Sequence, residues 1–259
     1  MNTVLITGGS SGIGYEFAKL FAQKQYRIIL ASRNEEKLQE SVNYLQQTYV
    51  VDTYFITVDL ATSNGPDMLY NHLKERSIEI DVLINNAGRG SYGMLHEQSI
   101  KSELDMVQLN VHAVSHLMML FLKDMVDKDS GRILNIGSTT SFYPCPLSAN
   151  YSASKAFVLY LTEAVATELE GTNVSVTALC PGATTTDFFK NAKMDKQKVS
   201  TTEETMDPQK VAAIGFKAMM KRKKYVIPGF QNWLLSHSPR LFPRSTVTSI
   251  TRRVLEKKK

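Results

Sequence analysis

The chain has 259 residues, of which 43% are hydrophobic and 21% are charged. This length fits one large α/β domain, and the ordinary counts of 14 Gly and 8 Pro exclude collagen-like, low-complexity and generally disordered chains. Two cysteines, Cys145 and Cys180, cannot form a disulfide scaffold and lack metal-ligand spacing. No apolar run approaches the ~18 residues of a membrane-spanning helix. We therefore expect a metal-free protein; two cysteines leave the redox compartment open, but a reducing cytoplasm fits, with peripheral contact to a membrane as the alternative.

The net charge of +5 is unevenly distributed. Residues 1–216 carry a net charge of −6, whereas residues 217–259 carry +11. A basic tail on an acidic body indicates an anionic partner, either nucleic acid or a membrane surface. The cations belong to no recognisable nucleic-acid reader motif, so we do not expect nucleic-acid binding.

Short apolar segments alternate with helical patterns along the chain. Six of these segments predict buried strands, at residues 4–7, 27–31, 53–58, 82–85, 132–136 and 174–179, and residues 225–227 predict one more. Helical patterns include residues 104–125 and 151–169, a helix capped by Asn34 and a helix beginning at Asp207. This order predicts an α/β domain over residues 1–229, built on a parallel sheet with helices on both faces, and a C-terminal extension over 230–259.

A glycine turn follows the first predicted strand, with the sequence Thr7-Gly8-Gly9-Ser10-Ser11-Gly12-Ile13-Gly14. Its glycines allow a tight turn and a close approach to a pyrophosphate, which the next helix would bind with its N-terminal N–H groups. The spacing G-x-x-x-G-x-G differs from the commonest dinucleotide fingerprint. The alternative is a glycine-rich strand-to-helix turn without a ligand.

The end of the second predicted strand, Ala31-Ser32-Arg33, indicates which dinucleotide is bound. NAD enzymes usually place an acidic residue there to bind the ribose hydroxyls. Here a hydroxyl and a guanidinium stand in that place, and Arg33 is suited to hold a 2′-phosphate through charge-assisted hydrogen bonds. The alternative is an ordinary surface arginine.

Tyr151 and Lys155 are four residues apart, so they project from one face of the predicted helix. An ammonium near a phenol favours the phenolate and lowers the pKa of the tyrosine, which produces a general acid/base. Ser138, Asn86 and Pro181 each follow a predicted strand, and ligands of open α/β sheets bind beyond the carboxyl ends of the strands. We therefore expect all five residues at one edge of the sheet.

Taken together, these motifs resemble the classical short-chain dehydrogenase/reductase family. They run in order over about residues 1–190: the glycine turn, Asp59-Leu60, Asn85-Asn86-Ala87-Gly88, Asn110, Ser138, Tyr151 with Lys155, and Pro181-Gly182 up to Thr186. The resemblance implies a single-domain Rossmann fold with a doubly wound sheet of seven parallel strands. It also implies a catalytic tetrad of Asn110, Ser138, Tyr151 and Lys155.

The resemblance gives each tetrad residue a role. Tyr151 exchanges a proton with the substrate oxygen, and Ser138 orients the carbonyl. Lys155 holds the nicotinamide ribose and lowers the pKa of Tyr151, while Asn110 holds a water that links Lys155 to solvent. The implied cofactor is NADP(H), bound by Gly8, Ser10, Ser11, Gly12, Ile13, Gly14, Ser32, Arg33, Asp59, Leu60, Asn86, Ala87, Gly88, Tyr151, Lys155, Pro181, Gly182, Thr184 and Thr186. Thr184 departs from the family, which commonly has an aliphatic residue there.

The candidate substrate-facing residues are mostly apolar, which favours a small hydrophobic carbonyl or alcohol substrate. They are Phe142, Tyr143, Pro144, Cys145, Leu147, Phe188, Phe189 and the segment from Gly90 to Met94, with a substrate loop at about residues 186–207. The resemblance also implies a homodimer or tetramer with the two long helices at its interface. His112, Met118, Met119 and Phe121 are candidates for that interface.

In the C-terminal extension apolar residues alternate with cations. This pattern fits an amphipathic segment on an anionic membrane, or a helical arm that packs on its own body or on a partner subunit. The extension resembles the tails of bacterial short-chain reductases of undefined specificity and, more distantly, the microsomal ketoacyl-CoA and hydroxysteroid branch. Three functions follow: a carbonyl reductase, a membrane-associated ketoacyl or hydroxysteroid reductase, and an NADP(H)-sensing protein without turnover.

Overall fold

The computed structural model describes residues 1–186, 188 and 205–256. Its strands form one seven-stranded sheet in which every neighbouring pair is parallel, in the order β3-β2-β1-β4-β5-β6-β7. The strands are β1 Thr3–Thr7, β2 Arg27–Ser32, β3 Thr53–Thr57, β4 Val82–Asn85, β5 Gly131–Ile136, β6 Val174–Leu179 and β7 Tyr225–Val226. The order reverses direction at β1, and this confirms the doubly wound Rossmann fold.

Helices cover both faces of the sheet. They are α1 Gly12–Gln23, α2 Glu35–Tyr49, α3 Gly65–Glu75, α4 Ile100–Val107, α5 Val114–Asp127, α6 Ala149–Glu168, α7 Pro208–Met220, α8 Phe230–His237 and α9 Arg244–Glu256. Phe17 and Val211 bring α1 and α7 onto one face, and Leu117 and Val165 bring α5 and α6 onto the other. Because both faces are covered, β1 and β6 are buried along their whole length, which agrees with the near-continuous apolar character that the sequence showed.

Local capping explains where two of the helices begin. The Asn34 side chain accepts a hydrogen bond from the Lys37 N–H at 2.8 Å, and the Asp207 carboxylate accepts one from the Gln209 N–H at 3.0 Å. Both bonds satisfy N–H groups that have no partner within the helix. The predicted starts of α2 and α7 are therefore confirmed.

The predicted helical stretch over residues 104–125 is confirmed, because the chain is helical without a break from Ile100 to Asp127, but its geometry is not uniform. A π-helical segment, Gln108–Ala113, separates α4 from α5 and carries Asn110. Such segments are rare in proteins overall, and those that occur are often at functional sites. Met118 and Phe121 of α5 are buried in the core against the sheet, so they are not at a subunit interface, whereas Met119 and His112 are exposed.

Helix α3 was not predicted, although Pro66 in its first turn and the pair Leu69 and Leu73 are signals of a helix start and a buried face. Phe189 and most of the predicted substrate loop lie outside the described residues. Within those residues, no helix has the length and apolar character needed to cross a bilayer.

Candidate active site

The carboxyl ends of the central strands open into a cavity of about 930 Å³. Its lining includes the glycine turn after β1, Asn86 after β4, Ser138 after β5 and the segment from Pro181 after β6. Tyr151 and Lys155 reach the same cavity from α6. The structure therefore brings the predicted sheet-edge residues together around one space.

The backbone of the glycine turn requires glycine at the predicted positions. Gly8 and Gly12 have φ values of +64° and +56°, which side-chain-bearing residues rarely adopt. A Cβ at Gly14 would lie 2.4 Å from Asn86 Nδ2, and this nitrogen donates hydrogen bonds to the carbonyls of Thr7 and Gly8, both at 3.0 Å. Asn86 therefore holds the turn from the neighbouring strand β4.

The predicted nucleotide-selecting residues stand at the edge of the same cavity. Ser10 donates a hydrogen bond to the Ser32 hydroxyl at 3.4 Å, and both residues line the cavity with Arg33. The Arg33 guanidinium is exposed and lies 4.0 Å from the Asp59 carboxylate, an exposed pair that stabilises the fold little. Of the predicted cofactor-binding residues, Gly14, Asp59 and Leu60 do not line the cavity.

Three of the four predicted tetrad residues line the cavity, and the fourth lies directly behind it. A side-chain hydrogen bond joins Tyr151 to Ser138, and the Lys155 nitrogen lies 5.9 Å from the centre of the Tyr151 ring. Lys155 Nζ also donates a hydrogen bond of 2.8 Å to the carbonyl of Ile136, the last residue of β5. This bond fixes the ammonium at the carboxyl end of the central strand.

Burial dominates the protonation of this pair. Removal from water raises the pKa of Tyr151 to about 12, although its hydrogen bond with Ser138 acts to lower it. Burial lowers the pKa of Lys155 to about 8. In this structure desolvation is the largest effect on the pKa of Tyr151, and the Lys155 ammonium donates its hydrogen bond to the Ile136 carbonyl.

Asn110 is fully buried and acts on the backbone of Arg89. Its Oδ1 accepts from the Arg89 N–H at 3.0 Å, and its Nδ2 donates to the Arg89 carbonyl at 2.8 Å and to Ser154 Oγ at 3.1 Å. A Cβ built on Gly88 would lie 3.2 Å from Asn110 Oδ1 and 3.5 Å from Lys155 Nζ. Asn110 thus positions the segment that passes directly over Lys155.

Thr140 orients the catalytic serine candidate and was missed by sequence reasoning. The backbone N–H and the hydroxyl of Thr140 both donate to Ser138 Oγ, at 3.2 and 3.0 Å. Because that oxygen accepts two hydrogen bonds, its own proton is directed elsewhere, toward Tyr151 and the cavity. The signal in the sequence was the run of hydroxyl residues directly after β5.

The predicted substrate-facing residues are only partly brought together. Gly90, Ser91, Tyr92, Tyr143, Cys145 and Phe188 line the cavity, whereas Phe142, Pro144, Leu147, Gly93 and Met94 do not. The Phe188 ring lies 5.6 Å from that of Tyr151. Burial raises the pKa of the Cys145 thiol to about 11, so Cys145 is an apolar wall residue and not a nucleophile.

The C-terminal extension supplies a wall that sequence reasoning did not assign to the pocket. Its lining residues are Leu235, Ser238, Pro239, Phe242, Val247, Ile250, Thr251, Val254 and Leu255. In α9 they recur at helical spacing on one face, and the Tyr92 hydroxyl donates to the Leu255 carbonyl at 3.1 Å. Of the alternatives given above for the extension, this geometry corresponds to an arm that packs on its own body.

Comparisons with known proteins agree with the fold. A family model described as short chain dehydrogenase matches residues 2–197. The chain is 30% identical over 254 residues to the very-long-chain 3-oxoacyl-CoA reductase of Anas platyrhynchos, with 95% of this chain and 77% of that protein covered.

Solved structures resemble the chain over nearly its whole length. A short-chain dehydrogenase from Sphingobium yanoikuyae in complex with NADPH has a TM-score of 0.83 and 28% identity, covering 100% of this chain and 96% of that one. The bulky-bulky ketone specific alcohol dehydrogenase from Comamonas testosteroni has a TM-score of 0.79 and 28% identity, covering 93% and 92%. This chain belongs to the short-chain dehydrogenase family.

Proposed function

We propose that the protein is an NADP(H)-dependent oxidoreductase that interconverts a hydrophobic ketone or aldehyde and its alcohol. The observation that carries this proposal is the hydrogen-bonded pair Tyr151 and Ser138, with Lys155 beside it, in the cavity that the glycine turn and Arg33 also line. A proton donor and a nucleotide cradle in one cavity are what carbonyl reduction requires.

The residues present fit a dinucleotide carrying a 2′-phosphate. Gly8 and Gly12 have positive φ values and no side chains, so the turn leaves room for a pyrophosphate to approach the backbone at the N-terminus of α1. Ser10, Ser32 and Arg33 stand together where the adenosine ribose would bind, and Arg33 supplies the positive charge that a 2′-phosphate requires. The neighbour from Sphingobium yanoikuyae is described in complex with NADPH, in line with this assignment.

The bound nicotinamide would supply or accept the hydride, and the protein's own side chains handle the proton. Tyr151 retains its proton at neutral pH because its pKa is raised, so it donates to the substrate oxygen in reduction. Ser138 presents its hydroxyl to the same oxygen because Thr140 occupies the acceptor side of the Ser138 oxygen. Lys155, near Gly88, stands where it would hold the nicotinamide ribose.

The apolar walls favour a hydrophobic substrate. Phe188 faces Tyr151, and Phe242, Ile250 and Val254 add an apolar wall from the extension. A second candidate is a ketoacyl reductase of lipid metabolism at a membrane surface, which the name of the Anas platyrhynchos relative favours. The observation in this chain that supports it is a patch of exposed apolar residues on the extension: Phe230, Trp233, Leu234 and Leu241.

We also infer a homo-oligomer. The helices α4, α5 and α6 expose apolar side chains that the monomer leaves uncovered, namely Ile100, Leu104, Met119, Phe157 and Tyr160. Such a patch is typical of a protein–protein interface. Light scattering of the purified protein and of a Met119→Arg variant tests this, and a variant with unchanged mass would remove Met119 from the interface.

Turnover assays test the proposed function. Consumption of NADPH and NADH is measured against carbonyl compounds of increasing size, for the wild type and for Tyr151→Phe. Turnover with NADPH that is lost in Tyr151→Phe supports the reductase. NADPH binding by calorimetry without turnover on any carbonyl would instead support the NADP(H)-sensing alternative.

A further inference from the structure

A second cavity, of about 690 Å³, lies between α6 and the C-terminal extension. It shares five lining residues with the catalytic cavity: Tyr143, Cys145, Pro239, Phe242 and Val247. The shared residues therefore form the wall between the two cavities. Phe242 is 56% exposed, so its side chain is not held in a packed core.

The lining of the second cavity is apolar on one side and positively charged on the other. The apolar side comes from α6 and the segment before it, with Pro146, Ala149, Ala153, Ala156 and Leu159. The opposite side comes from the extension, with Arg240, Arg244 and Thr248. Among the described residues, neither arginine has an ion-pair or hydrogen-bond partner for its side chain, and Glu163 is the acidic residue of the lining. The two arginines outweigh Glu163, so the cavity favours an anion.

We propose that this second cavity is the subsite for the far end of an elongated substrate, in which an apolar chain ends in an anionic group. The proposal rests on the proposed function, because the reacting carbonyl must lie at Tyr151. The chain then passes Cys145 and Val247, and its anionic end meets Arg240 and Arg244. Compact ketones fill the catalytic cavity alone and gain nothing from the second.

Two physical effects set the expected selectivity. Each methylene group transferred from water to the apolar lining improves binding by about threefold to fourfold, until the subsite is full. A carboxylate at the end of the chain gains about two- to fivefold more from the exposed arginines. The activity on acids should therefore exceed that on the matching esters only when the chain is long enough to reach Arg244.

A ladder of substrates tests this. Methyl ketones with a carboxylate at the far end, from about six to fourteen carbons long, are compared with their methyl esters by kcat/KM under NADPH consumption. The expected result is a rise with length in both series and a separation of acids from esters among the longer members. A flat profile, or a separation that is the same at every length, would overturn the proposal.

Neighbouring positions on α9 give a matched pair of variants. Thr248 lines the second cavity, whereas the adjacent Ser249 is exposed and lines neither cavity. Thr248→Trp should remove the advantage of the long substrates and leave the shortest ketones unchanged, and Ser249→Trp should change neither. Arg244→Ala should lower kcat/KM for the long acids to the value for their esters. If Thr248→Trp and Ser249→Trp behave alike, the subsite is not in this cavity.

The failure of the subsite and the failure of the proposed function are distinguishable. If no carbonyl compound is turned over, equilibrium binding of a fluorescent long-chain fatty acid replaces turnover. Binding to the wild type that is lost in Thr248→Trp and retained in Ser249→Trp supports the subsite, whereas equal binding to all three overturns it. A preference for long chains that depends on protein concentration would assign the cavity to contact between two copies of the chain, and would also overturn it.

Discussion

The side-chain nitrogen of Asn86 lies only 2.4 Å from the position that a Cβ on residue 14 would occupy. From there it donates hydrogen bonds to the carbonyls of Thr7 and Gly8. The glycine turn at the end of β1 is therefore shaped by a side chain that follows β4. A fixed turn does not have to be ordered when the cofactor binds, and the cost of binding falls accordingly.

Gly14→Ala should weaken NADPH binding about tenfold and lower the free energy of unfolding by about 1–3 kcal/mol, because the added methyl group displaces Asn86. Asn86→Ala should act in the same direction through loss of the two hydrogen bonds. The double variant should lose about 1 kcal/mol less than the sum of the single losses, since both changes break one contact. Calorimetry and urea unfolding measure these values, with exposed Asn71→Ala as the control; strictly additive losses would contradict the coupling.

Arg33→Ala should raise the KM for NADPH about tenfold to a hundredfold and leave that for NADH unchanged, because only NADPH carries the phosphate that the guanidinium would bind. Unfolding free energy should change by less than about 0.5 kcal/mol, since the pair with Asp59 is exposed and long. Exposed Arg76→Ala is the control, because Arg76 lies outside the cavity. Equal effects on both cofactors would contradict the assignment of Arg33.

The buried Lys155 predicts a pH dependence of stability. Its pKa is lowered from 10.5 to about 8 in the folded protein, so between these values the unfolded chain binds more protons and stability from this group rises with pH. Below pH 8 the folded protein must hold a buried charge. Between about pH 7 and pH 10.5, the free energy of unfolding of the wild type should therefore rise by on the order of 3 kcal/mol relative to that of Lys155→Met.

Urea unfolding at several pH values measures that difference. Ionisation of Tyr151 contributes to both proteins, so it largely cancels in the comparison. Lys123→Met removes an exposed lysine and serves as the control, whose curve should run parallel to that of the wild type. A Lys155→Met curve that also runs parallel would show that Lys155 is not destabilised by burial.

Periodic and local signals were enough for most of the fold. The strands were predicted because they are apolar along their length, and α2 and α7 because Asn34 and Asp207 cap them locally. The order of the motifs, through the family resemblance, indicated which side chains meet at the edge of the sheet. Desolvation of Tyr151 and Lys155 could not be predicted, because it depends on residues distant in sequence that exclude water.

The role of the extension could not be predicted from the sequence, for a related reason. Its alternation of apolar and basic residues predicts an amphipathic helix, which is what α9 is. The same pattern would suit a membrane, a partner subunit or the protein's own pocket, and only the path of the chain after β7 selects among them. The π-helical segment around Asn110 likewise has no periodic signal of its own, because it adds a wider turn to an otherwise regular helix.

Tyr92→Phe should loosen the extension, because the Tyr92 hydroxyl donates the hydrogen bond that holds the Leu255 carbonyl near the cavity. Loss of one such bond favours local opening by about twofold to tenfold. Trypsin should therefore cleave after Arg252 and Arg253 faster by that factor, as measured by mass spectrometry of the intact protein over time. Tyr44→Phe, on the exposed side of α2, is the control, and equal cleavage rates in the two variants would show that the bond does not hold the extension.

The apolar patch on the extension predicts binding to anionic membranes. Leu241 is 82% and Phe230 76% exposed, and Arg240 and Arg244 flank Leu241. Apolar and aromatic side chains beside cations are the combination that binds the headgroup region of anionic lipids. We therefore expect flotation with vesicles of mixed neutral and anionic phospholipid, little with neutral vesicles, and a decrease at high salt because of screening.

Leu241→Glu should reduce that flotation about tenfold, because burial of a leucine side chain is lost and a negative charge is added near the lipid phosphates. Val50→Glu is the matched control: Val50 is 85% exposed but follows α2, outside both the extension and the inferred subunit interface. Comparable flotation of the two variants, or equal binding to neutral and anionic vesicles, would contradict membrane binding through this patch. The patch would then be better explained as a contact between subunits, and Leu241→Glu should lower the mass measured by light scattering.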